Sequence, residues 1–242
     1  MLIDLHAHTY PISLCCRAFA QEVINTAIAN GYDGMVLTNH YDRVHMQNQP
    51  YELWIENYIN EYYNAKEIGE KVNFKVFLGA EITMHENKNI HNLIYGIDDD
   101  NFLRNENLFY YSQQQLYNLC KERGYALIQA HPFRNGVTPV DPKFTDGYEI
   151  NCHPHKNYCG THSAEIPIIA NKYGLTLTCG SDYHADTYRV KGGTFFPDSV
   201  KTITDIKNYL LTTDKITLRV EEKDSFTYTD ITYNLHRENA IK

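Results

Sequence analysis

Five short apolar runs in this chain each end in side chains that can bind a metal ion. These side chains are His6 with His8, His40, Glu81, His131, and Asp182 with His184. Residues i and i+2 of an extended backbone point to the same side, so His6 and His8 project together, as do Asp182 and His184. We therefore interpret each run as a strand whose end faces a common site.

Amphipathic stretches separate the apolar runs. Helical spacing of apolar residues predicts helices over 18–30, 51–70, 161–173 and 202–212, and another that begins at Ser112, with Gln115 as its capping-box partner, and ends near Gly124. Strands are predicted over 2–8, 33–37, 74–78, 92–96, 125–130, 148–150, 175–179 and 216–220. Alternating strands and helices predict an α/β fold with a parallel sheet inside and helices outside. About seven such strands predict a closed or nearly closed barrel with its active site at the carboxyl ends of the strands.

The side chains at the strand ends predict a metal site. Imidazole nitrogen and carboxylate oxygen suit divalent Zn, Mn or Fe. Five imidazoles and two carboxylates are too many for one tetrahedral ion, and a carboxylate such as Glu81 can bridge two ions. Two ions about 3.5–4 Å apart activate a water and stabilise the leaving oxygen of a phosphate ester. The ligand set therefore predicts a site for divalent metal ions.

These motifs resemble a known family. Asp4–Thr9, Leu37–His40, Gly79–Glu81, Ala130–Phe133 and Gly180–His184 are similar to the ordered motifs of the PHP (polymerase and histidinol phosphatase) family, and the resemblance covers most of the chain. It implies a distorted, TIM-like (β/α)7 barrel with two or three divalent ions. Carried over by position, it implies one ion held by His6, His8, Glu81 and Asp182, a second held by Glu81 and His131, and a third held by His40 and His184.

The chain departs from the family pattern in two places. Many members place an Asp or His a few residues after the His-x-His pair, whereas here that segment holds Cys15 and Cys16. Either thiol is a substitute ligand, although an apolar thiol is the favoured interpretation. Many members also carry a His between the Glu and the His-Pro motif. His85 and His91 are the only histidines in that interval, and we interpret His91 as the first residue of a strand.

The expected reaction is hydrolysis of a phosphate monoester of a small metabolite by a metal-activated hydroxide. Arginine forks match phosphate oxygens, and Arg17, Arg134 and Arg189 each follow one of the metal motifs. Arg134 is also assigned a catalytic role, because it neutralises the phosphoryl oxygens. His153, or His184 when it holds no metal, is the candidate general acid for the leaving oxygen.

Several functions stay open at this point. The substrate is a histidinol-phosphate-like metabolite or a nucleotide, or the enzyme is instead a phosphodiesterase or nuclease-like protein. A PHP-type protein-tyrosine phosphatase and a non-catalytic metal-binding protein are further alternatives. The net charge of −8 argues against a broad nucleic-acid surface. A monoester–diester rate comparison separates the first two functions.

Size and cysteine usage set the remaining expectations. The 242 residues fit one barrel domain, with 221–242 as a peripheral edge hairpin or a loose end. No signal peptide and no apolar run of transmembrane length is visible, so a cytoplasmic protein without a membrane partner is expected. The six cysteines form no Cys-x-x-Cys pair and are interpreted as reduced thiols. The sequence leaves the oligomeric state open.

Overall fold

The computed structural model describes residues 1–134, 137, 139–151, 165–184, 192–221 and 227–240. The helices among them are α1 (Ala20–Ala29), α2 (Arg43–Met46), α3 (Tyr51–Lys71), α4 (Gln113–Arg123), α5 (Glu165–Lys172) and α6 (Ile203–Thr212). The strands are β1 (Leu2–Ala7), β2 (Gly34–Leu37), β3 (His40–Tyr41), β4 (Lys75–Leu78), β5 (Ala80–Thr83), β6 (His91–Tyr95), β7 (Ala126–Gln129), β8 (Gly147–Asn151), β9 (Thr176–Gly180), β10 (Gly193–Phe195), β11 (Lys215–Glu221) and β12 (Tyr228–Asn234). Single 3-10 turns lie at Asp100–Arg104, Glu106–Phe109, Pro142–Phe144 and Arg237–Asn239.

The strands form two mixed six-stranded sheets. One has the order β12-β11-β10-β1-β2-β4, and the other has the order β3-β5-β6-β7-β8-β9. The pairs β1–β2, β2–β4, β3–β5, β7–β8 and β8–β9 are parallel, as predicted. The pairs β5–β6, β6–β7, β1–β10, β10–β11 and β11–β12 are antiparallel, so the prediction of a wholly parallel sheet is wrong. Parallel neighbours need a crossover of a dozen or more residues, and the chain between β5 and β6 is too short to supply one.

The two sheets approach each other beside the predicted metal ligands. Ala7, at the end of β1, forms a parallel bridge with Tyr183, just beyond β9. The amide of Asp182 donates to the carbonyl of His6 at 2.8 Å, and the amide of Glu81 donates to the carbonyl of Asn39 at 3.1 Å. The first two contacts set the ends of β1 and β9 side by side, and the third sets the start of β5 beside the connection between β2 and β3.

Local signals in the sequence account for several element boundaries. Ser112 caps α4 and forms the predicted capping box with Gln115, and Gly124 ends that helix in a left-handed conformation. The polar tail is the predicted edge hairpin, because β12 pairs with β11 and Arg219 makes two hydrogen bonds to Asp230. The short elements α2, β3, β5 and β10 were not predicted, since two to four residues are too few to establish a periodicity.

Apolar side chains from both sheets form the core. Ile3, Leu5, Leu93, Ile128 and Leu177 are fully buried members of one cluster. A second cluster lies beneath α3, where Trp54 and Tyr58 pack against Tyr41. None of the helices among the described residues has the length and apolar character needed to cross a bilayer.

Candidate metal centre

Seven predicted ligand side chains lie together at one end of the two sheets. His6 belongs to β1 and His8 follows it, while His40 begins β3 and Glu81 lies in β5. His131 follows β7, and Asp182 and His184 follow β9. All are buried except His184, which is partly exposed. The sequence prediction that these residues meet is confirmed, and their binding of a metal stays a prediction.

Four of these residues form what we name the central ligand set: His6, His8, Glu81 and Asp182. Glu81 Oε2 lies 3.4 Å from the Nε2 atoms of both His6 and His8. Asp182 Oδ1 lies 3.4 Å from His6 Nε2 and 3.2 Å from His8 Nε2. Ligand atoms placed tetrahedrally about 2.1 Å from a zinc ion lie about 3.4 Å from one another. The spacing therefore fits a divalent ion.

Buried atoms without partners support the same conclusion. Among the described residues, His6 Nε2 and His8 Nε2 are buried and have no hydrogen-bond partner. An unsatisfied buried polar atom is costly, and metal coordination satisfies it. The other ring nitrogen of each histidine is hydrogen-bonded. His6 Nδ1 donates to Glu149 at 3.0 Å, and His8 Nδ1 donates to Ser13 Oγ at 3.0 Å. Such bonds direct each Nε2 toward the ion.

The other carboxylate oxygen of Glu81 faces a second ligand set: Glu81, His91 and His131. Glu81 Oε1 lies 2.9 Å from His91 Nδ1 and 3.1 Å from His131 Nε2. The two oxygens of Glu81 thus face two separate groups of imidazoles. A carboxylate in that position is suited to bridge two ions.

His91 was not among the predicted ligands. It does begin a strand, as predicted, yet its ring also reaches Glu81. His85, the alternative, is exposed and its ring faces Tyr110. His91 is the first residue of β6, which runs antiparallel to β5 and pairs with it through Thr83. The start of β6 therefore lies beside the end of β5, and this position is the signal that identifies His91.

A third group lies at the rim, which we name the third ligand set: Cys15, His40 and His184. Cys15 Sγ lies 3.1 Å from His184 Nε2, and the rings of His40 and His184 lie 6.0 Å apart. Cys15 is exposed and in contact with the site, whereas Cys16 is buried and donates to the carbonyl of His8. Burial of Cys16 fits its interpretation as an apolar thiol, whereas Cys15 lies beside His184 and stays the candidate substitute ligand.

Two residues missed in the sequence support these sets from outside. Glu149, in the middle of β8, also accepts a hydrogen bond from the amide of His131 at 3.0 Å. His45 lies 3.6 Å from Cys15 Sγ through its Nε2, and its Nδ1 bonds to Asp42. Neither lies at the end of an apolar run, so the pattern that identified the other ligands does not mark them.

The electrostatics of the centre favour a bound cation. Burial raises the pKa values of Glu81 and Asp182, but the surrounding imidazoles outweigh it and hold both well below their usual range. Burial and the neighbouring His40 lower the pKa of His8, and burial with Arg134 lowers the pKa of His131 to about 3. Ionised carboxylates and neutral imidazoles are the forms that bind metals.

His6 differs from the other imidazoles, and its state yields a prediction. Burial lowers the pKa of His6, but Glu149, Glu81 and Asp182 outweigh it and raise that pKa well above its usual value. The metal-free protein at neutral pH therefore carries a proton on His6, while His8 and His131 carry none. We expect about one proton to be released when the central ligand set binds an ion at neutral pH. Calorimetric titration of Zn²⁺ in buffers of different ionisation enthalpy measures this number, and zero release would contradict it.

Backbone conformation at the site is unusual. His131 and Asp182 have positive φ values of 30° and 52°, in a region that residues other than glycine rarely adopt. Such strain is retained where the surrounding structure over-determines it, and it is concentrated at functional sites. Here it lies at two predicted ligands.

The structure places some of the predicted phosphate-binding arginines and candidate general acids beside the centre and does not describe others. Arg134 donates through Nη1 to Asp182 Oδ2 at 2.8 Å, which places it beside the central ligand set. Arg17 is exposed between β1 and α1, and its phosphate-binding role stays a prediction. His153 and Arg189 lie outside the described residues. His184 Nδ1 lies 2.7 Å from the carbonyl oxygen of Asp182, so its Nε2 is the atom that faces Cys15.

Comparison with known proteins agrees with this geometry. The profile of the PHP domain matches residues 4–210, and the chain belongs to that family. No functionally curated protein matches the sequence.

Solved structures share the fold. A two-domain protein from Bacteroides vulgatus, described as containing a PHP-like metal-dependent phosphoesterase assigned by prediction, has a TM-score of 0.65 at 16% identity, over 98% of this chain and 83% of that one. PsfC from Pseudomonas syringae has a TM-score of 0.61 at 18% identity, over 85% and 87% of the two chains. A protein from Bifidobacterium adolescentis, provisionally described as a metal-dependent phosphoesterase, has a TM-score of 0.54 at 14% identity, over 85% and 94%. At these identities the likeness establishes the fold alone.

Proposed function

We propose that this protein is a metal-dependent phosphoesterase that hydrolyses a phosphate monoester of a small metabolite. The observation that carries the proposal is the placement of Glu81, whose two oxygens face separate groups of imidazoles at 2.7–3.4 Å. Membership of the PHP domain family and the likeness to structures described as phosphoesterases support it.

The residues have distinct roles in this proposal. The central ligand set would hold one divalent ion of Zn, Mn or Fe, and the second ligand set would hold another. Ions in those positions supply Lewis-acid polarisation and a nucleophile at neutral pH. Arg134, held against Asp182, neutralises phosphoryl oxygen, and Arg17 and Arg189 are proposed to assist it. His184 or His153 is proposed to protonate the leaving oxygen.

Hydrolysis of p-nitrophenyl phosphate and of bis-p-nitrophenyl phosphate tests the proposal. The protein is reconstituted separately with Mn, Zn and Fe, and His131→Ala serves as the inactivated variant. His85→Ala is the matched control, because that histidine is exposed away from the ligand sets. We expect faster cleavage of the monoester, lost in His131→Ala and retained in His85→Ala.

Other results of the same assay favour the alternatives. Preferential cleavage of the diester would favour a phosphodiesterase or nuclease-like activity. Turnover confined to phosphotyrosine peptides would favour a protein-tyrosine phosphatase. Bound metal without turnover sensitive to His131→Ala would contradict the enzyme and leave a metal-binding protein.

The third ligand set is proposed to hold a further ion with Cys15 as a thiolate ligand. Thiolate binds Zn²⁺ and Co²⁺ as a softer donor than the Asp or His that many family members carry there. Cobalt-substituted protein is therefore expected to show a near-ultraviolet thiolate-to-cobalt charge-transfer band. Cys15→Ser should remove the band, and Cys16→Ser should keep it because Cys16 Sγ is bonded to the carbonyl of His8. A band that survives Cys15→Ser would contradict this ligand assignment.

The wider architecture and setting are proposed on related grounds. We infer that the two sheets form the distorted (β/α)7 barrel of the family, supported by the Ala7–Tyr183 bridge between them. A cytoplasmic location is supported by Cys15, Cys16, Cys120 and Cys179, which are free thiols. A small phosphorylated substrate, rather than nucleic acid or a membrane, is the proposed partner.

A further inference from the structure

A cleft of about 420 Å³ lies between α3 and the segment that follows β1. Its walls include Pro11, Ile12, His45, Trp54, Asn57 and Glu61. The volume lies within the range of roughly 300–1,000 Å³ typical of small-molecule sites. None of the proposed metal ligands is needed to form it.

The wall contributed by α3 is polar where a helix facing the protein is usually apolar. Trp54, Asn57, Glu61 and Asn64 are spaced at i, i+3, i+7 and i+10, which places them on one face of the helix. Side chains on such a face normally pack into a core. Here Asn64 donates instead to Glu61 Oε2 at 3.2 Å, which fixes one oxygen of the carboxylate.

The indole N–H of Trp54 is the polar group of this wall that has no partner among the described residues. Trp54 is 1% exposed, and its indole N–H is buried without a hydrogen-bond acceptor. The carboxylate of Glu61 is held in place by side-chain hydrogen bonds to Asn64 and Thr9. The rings of Tyr41 and Phe109 lie 5.0 and 5.5 Å from that of Trp54 and hold the indole in place. The wall thus contains a rigid indole and a carboxylate held in a fixed position, to which a polar ligand in the cleft can be matched.

His45 connects the cleft to the metal centre. It lines the cleft, its Nε2 lies 3.6 Å from Cys15 Sγ, and its ring stacks on that of His40 at 4.3 Å. His40 Nδ1 in turn lies 2.7 Å from Glu81 Oε2. A substrate whose phosphate binds at the metal centre could therefore extend its alcohol part into the cleft.

The residues that line the cleft indicate the chemistry of the substrate part that would bind there. Among the described residues, no lysine or arginine lines the cleft, and its one carboxylate is Glu61. A second anionic group on the ligand would meet this carboxylate without a counter-charge. A hydroxyl group both donates and accepts, so adjacent hydroxyls suit the carboxylate of Glu61 and the side-chain amides of Gln49, Asn57 and Asn60.

We propose that this cleft binds the alcohol part of the substrate and that this part is a neutral, polyhydroxylated group, so that the substrate is a monosaccharide monophosphate. The inference rests on the proposed phosphoesterase function, which it makes specific. Trp54 and Glu61 are specificity residues in this assignment, and neither contacts the reacting phosphate.

The test uses Trp54 as its own reporter. It is the only tryptophan of the chain, so emission excited at the red edge of its absorption arises from the cleft wall and not from the 20 tyrosines. Metal-free full-length protein, which cannot turn over substrate, is titrated with ribose 5-phosphate and glucose 6-phosphate. Inorganic phosphate and ethanolamine phosphate are the comparison ligands. We expect a saturable change with the sugar phosphates and none with inorganic phosphate.

Variants connect that signal to the cleft. Glu61→Gln is expected to raise the dissociation constant of the sugar phosphates about tenfold, because a charge-assisted hydrogen bond is lost. Asn57→Ala, at an exposed position that tolerates truncation, is expected to raise it about threefold. Glu67→Gln is the matched control, since it changes an exposed glutamate of the same helix that pairs with Lys71.

The outcomes separate this proposal from the proposed function. No saturable response to either sugar phosphate, an equal response in Glu61→Gln, or tighter binding of ethanolamine phosphate, whose alcohol part carries an ammonium, would overturn the cleft assignment. Each of these leaves metal-dependent hydrolysis of p-nitrophenyl phosphate intact. Conversely, sugar phosphates that bind as expected but are never hydrolysed by the metal-loaded protein would overturn the phosphoesterase and keep the cleft.

Discussion

Replacing Glu81 by glutamine is expected to remove the metal-dependent activity, with kcat/KM for p-nitrophenyl phosphate falling about a thousandfold or more. Glu81 is fully buried, and among the described residues it is the one side chain with an oxygen facing each of the two groups of imidazoles. Glutamine keeps the volume of the side chain but removes the negative charge that both proposed ions share. We therefore expect both the central and the second ligand sets to lose their ions together.

Elemental analysis of dialysed protein measures the bound metal, and steady-state kinetics measures the activity. Glu67→Gln is the control for the same chemical change at an exposed position. A variant that keeps one ion at full occupancy would contradict the bridging role of Glu81. It would mean that the second ligand set binds its ion independently.

Replacing Glu81 by glutamine also removes a pH-dependent contribution to the stability of the metal-free protein. The folded-state pKa of Glu81 is held well below its usual value, so its ionised form stabilises the metal-free protein above about pH 4.3, the usual pKa of a glutamate. That contribution is lost as the pH falls through the folded-state pKa.

Much of the candidate site was predictable because the proposed ligands lie at the same end of each parallel strand. In a parallel strand the carboxyl end lies at the site, so an apolar run is followed by its ligand, as with His131 after β7. His91 broke the rule because β6 runs antiparallel to both of its neighbours. Its amino end, not its carboxyl end, lies at the site, so the ligand precedes the apolar run.

Site residues that lie inside a strand or helix, and not at its end, were not marked by any pattern in the sequence. Glu149 lies in the middle of β8, and its side chain is recognised as a site residue only through the 3.0 Å contact with His6. His45 lies in the short helix α2 and is directed by its bond to Asp42. Contacts of this kind join residues far apart in sequence, and periodicity does not report them.

The direction of the later strands could not be derived either. The sequence placed the strand at 216–220 correctly and suggested a hairpin in the tail. It did not place β10 between β1 and β11, because three residues carry too little pattern to be recognised. The mixed character of the first sheet depends on that strand.

Replacing Gly180 by alanine is the second change expected to have a large effect. Gly180 is the last residue of β9, where the backbone of β1 passes close by. A Cβ atom there would lie 2.5 Å from both the Cβ and the backbone nitrogen of His6. Backbone cannot withdraw as a flexible side chain can, so β9 and β1 must separate. We expect a loss of about 3 kcal/mol in the free energy of unfolding.

The separation of these strands reaches the metal centre directly. Asp182 is two residues beyond Gly180, and its amide bonds to the carbonyl of His6 at 2.8 Å. Moving β9 away from β1 therefore moves Asp182 and His6 apart, and the central ligand set loses its spacing of 3.4 Å between Asp182 Oδ1 and His6 Nε2. We expect weaker Zn²⁺ binding by calorimetry as well as a lower melting temperature.

Gly124→Ala distinguishes this effect from the general cost of replacing a glycine. Gly124 has a φ of 72°, and no atom lies within 4 Å of the Cβ that alanine would add. Its replacement should cost about 1–2 kcal/mol through backbone strain alone and leave Zn²⁺ affinity unchanged. If Gly180→Ala lowered stability but bound Zn²⁺ as tightly as Gly124→Ala, the close approach of β9 to β1 would be a packing feature only. Loss of both properties in Gly180→Ala alone would make that approach the element that sets the distance between two of the ligands.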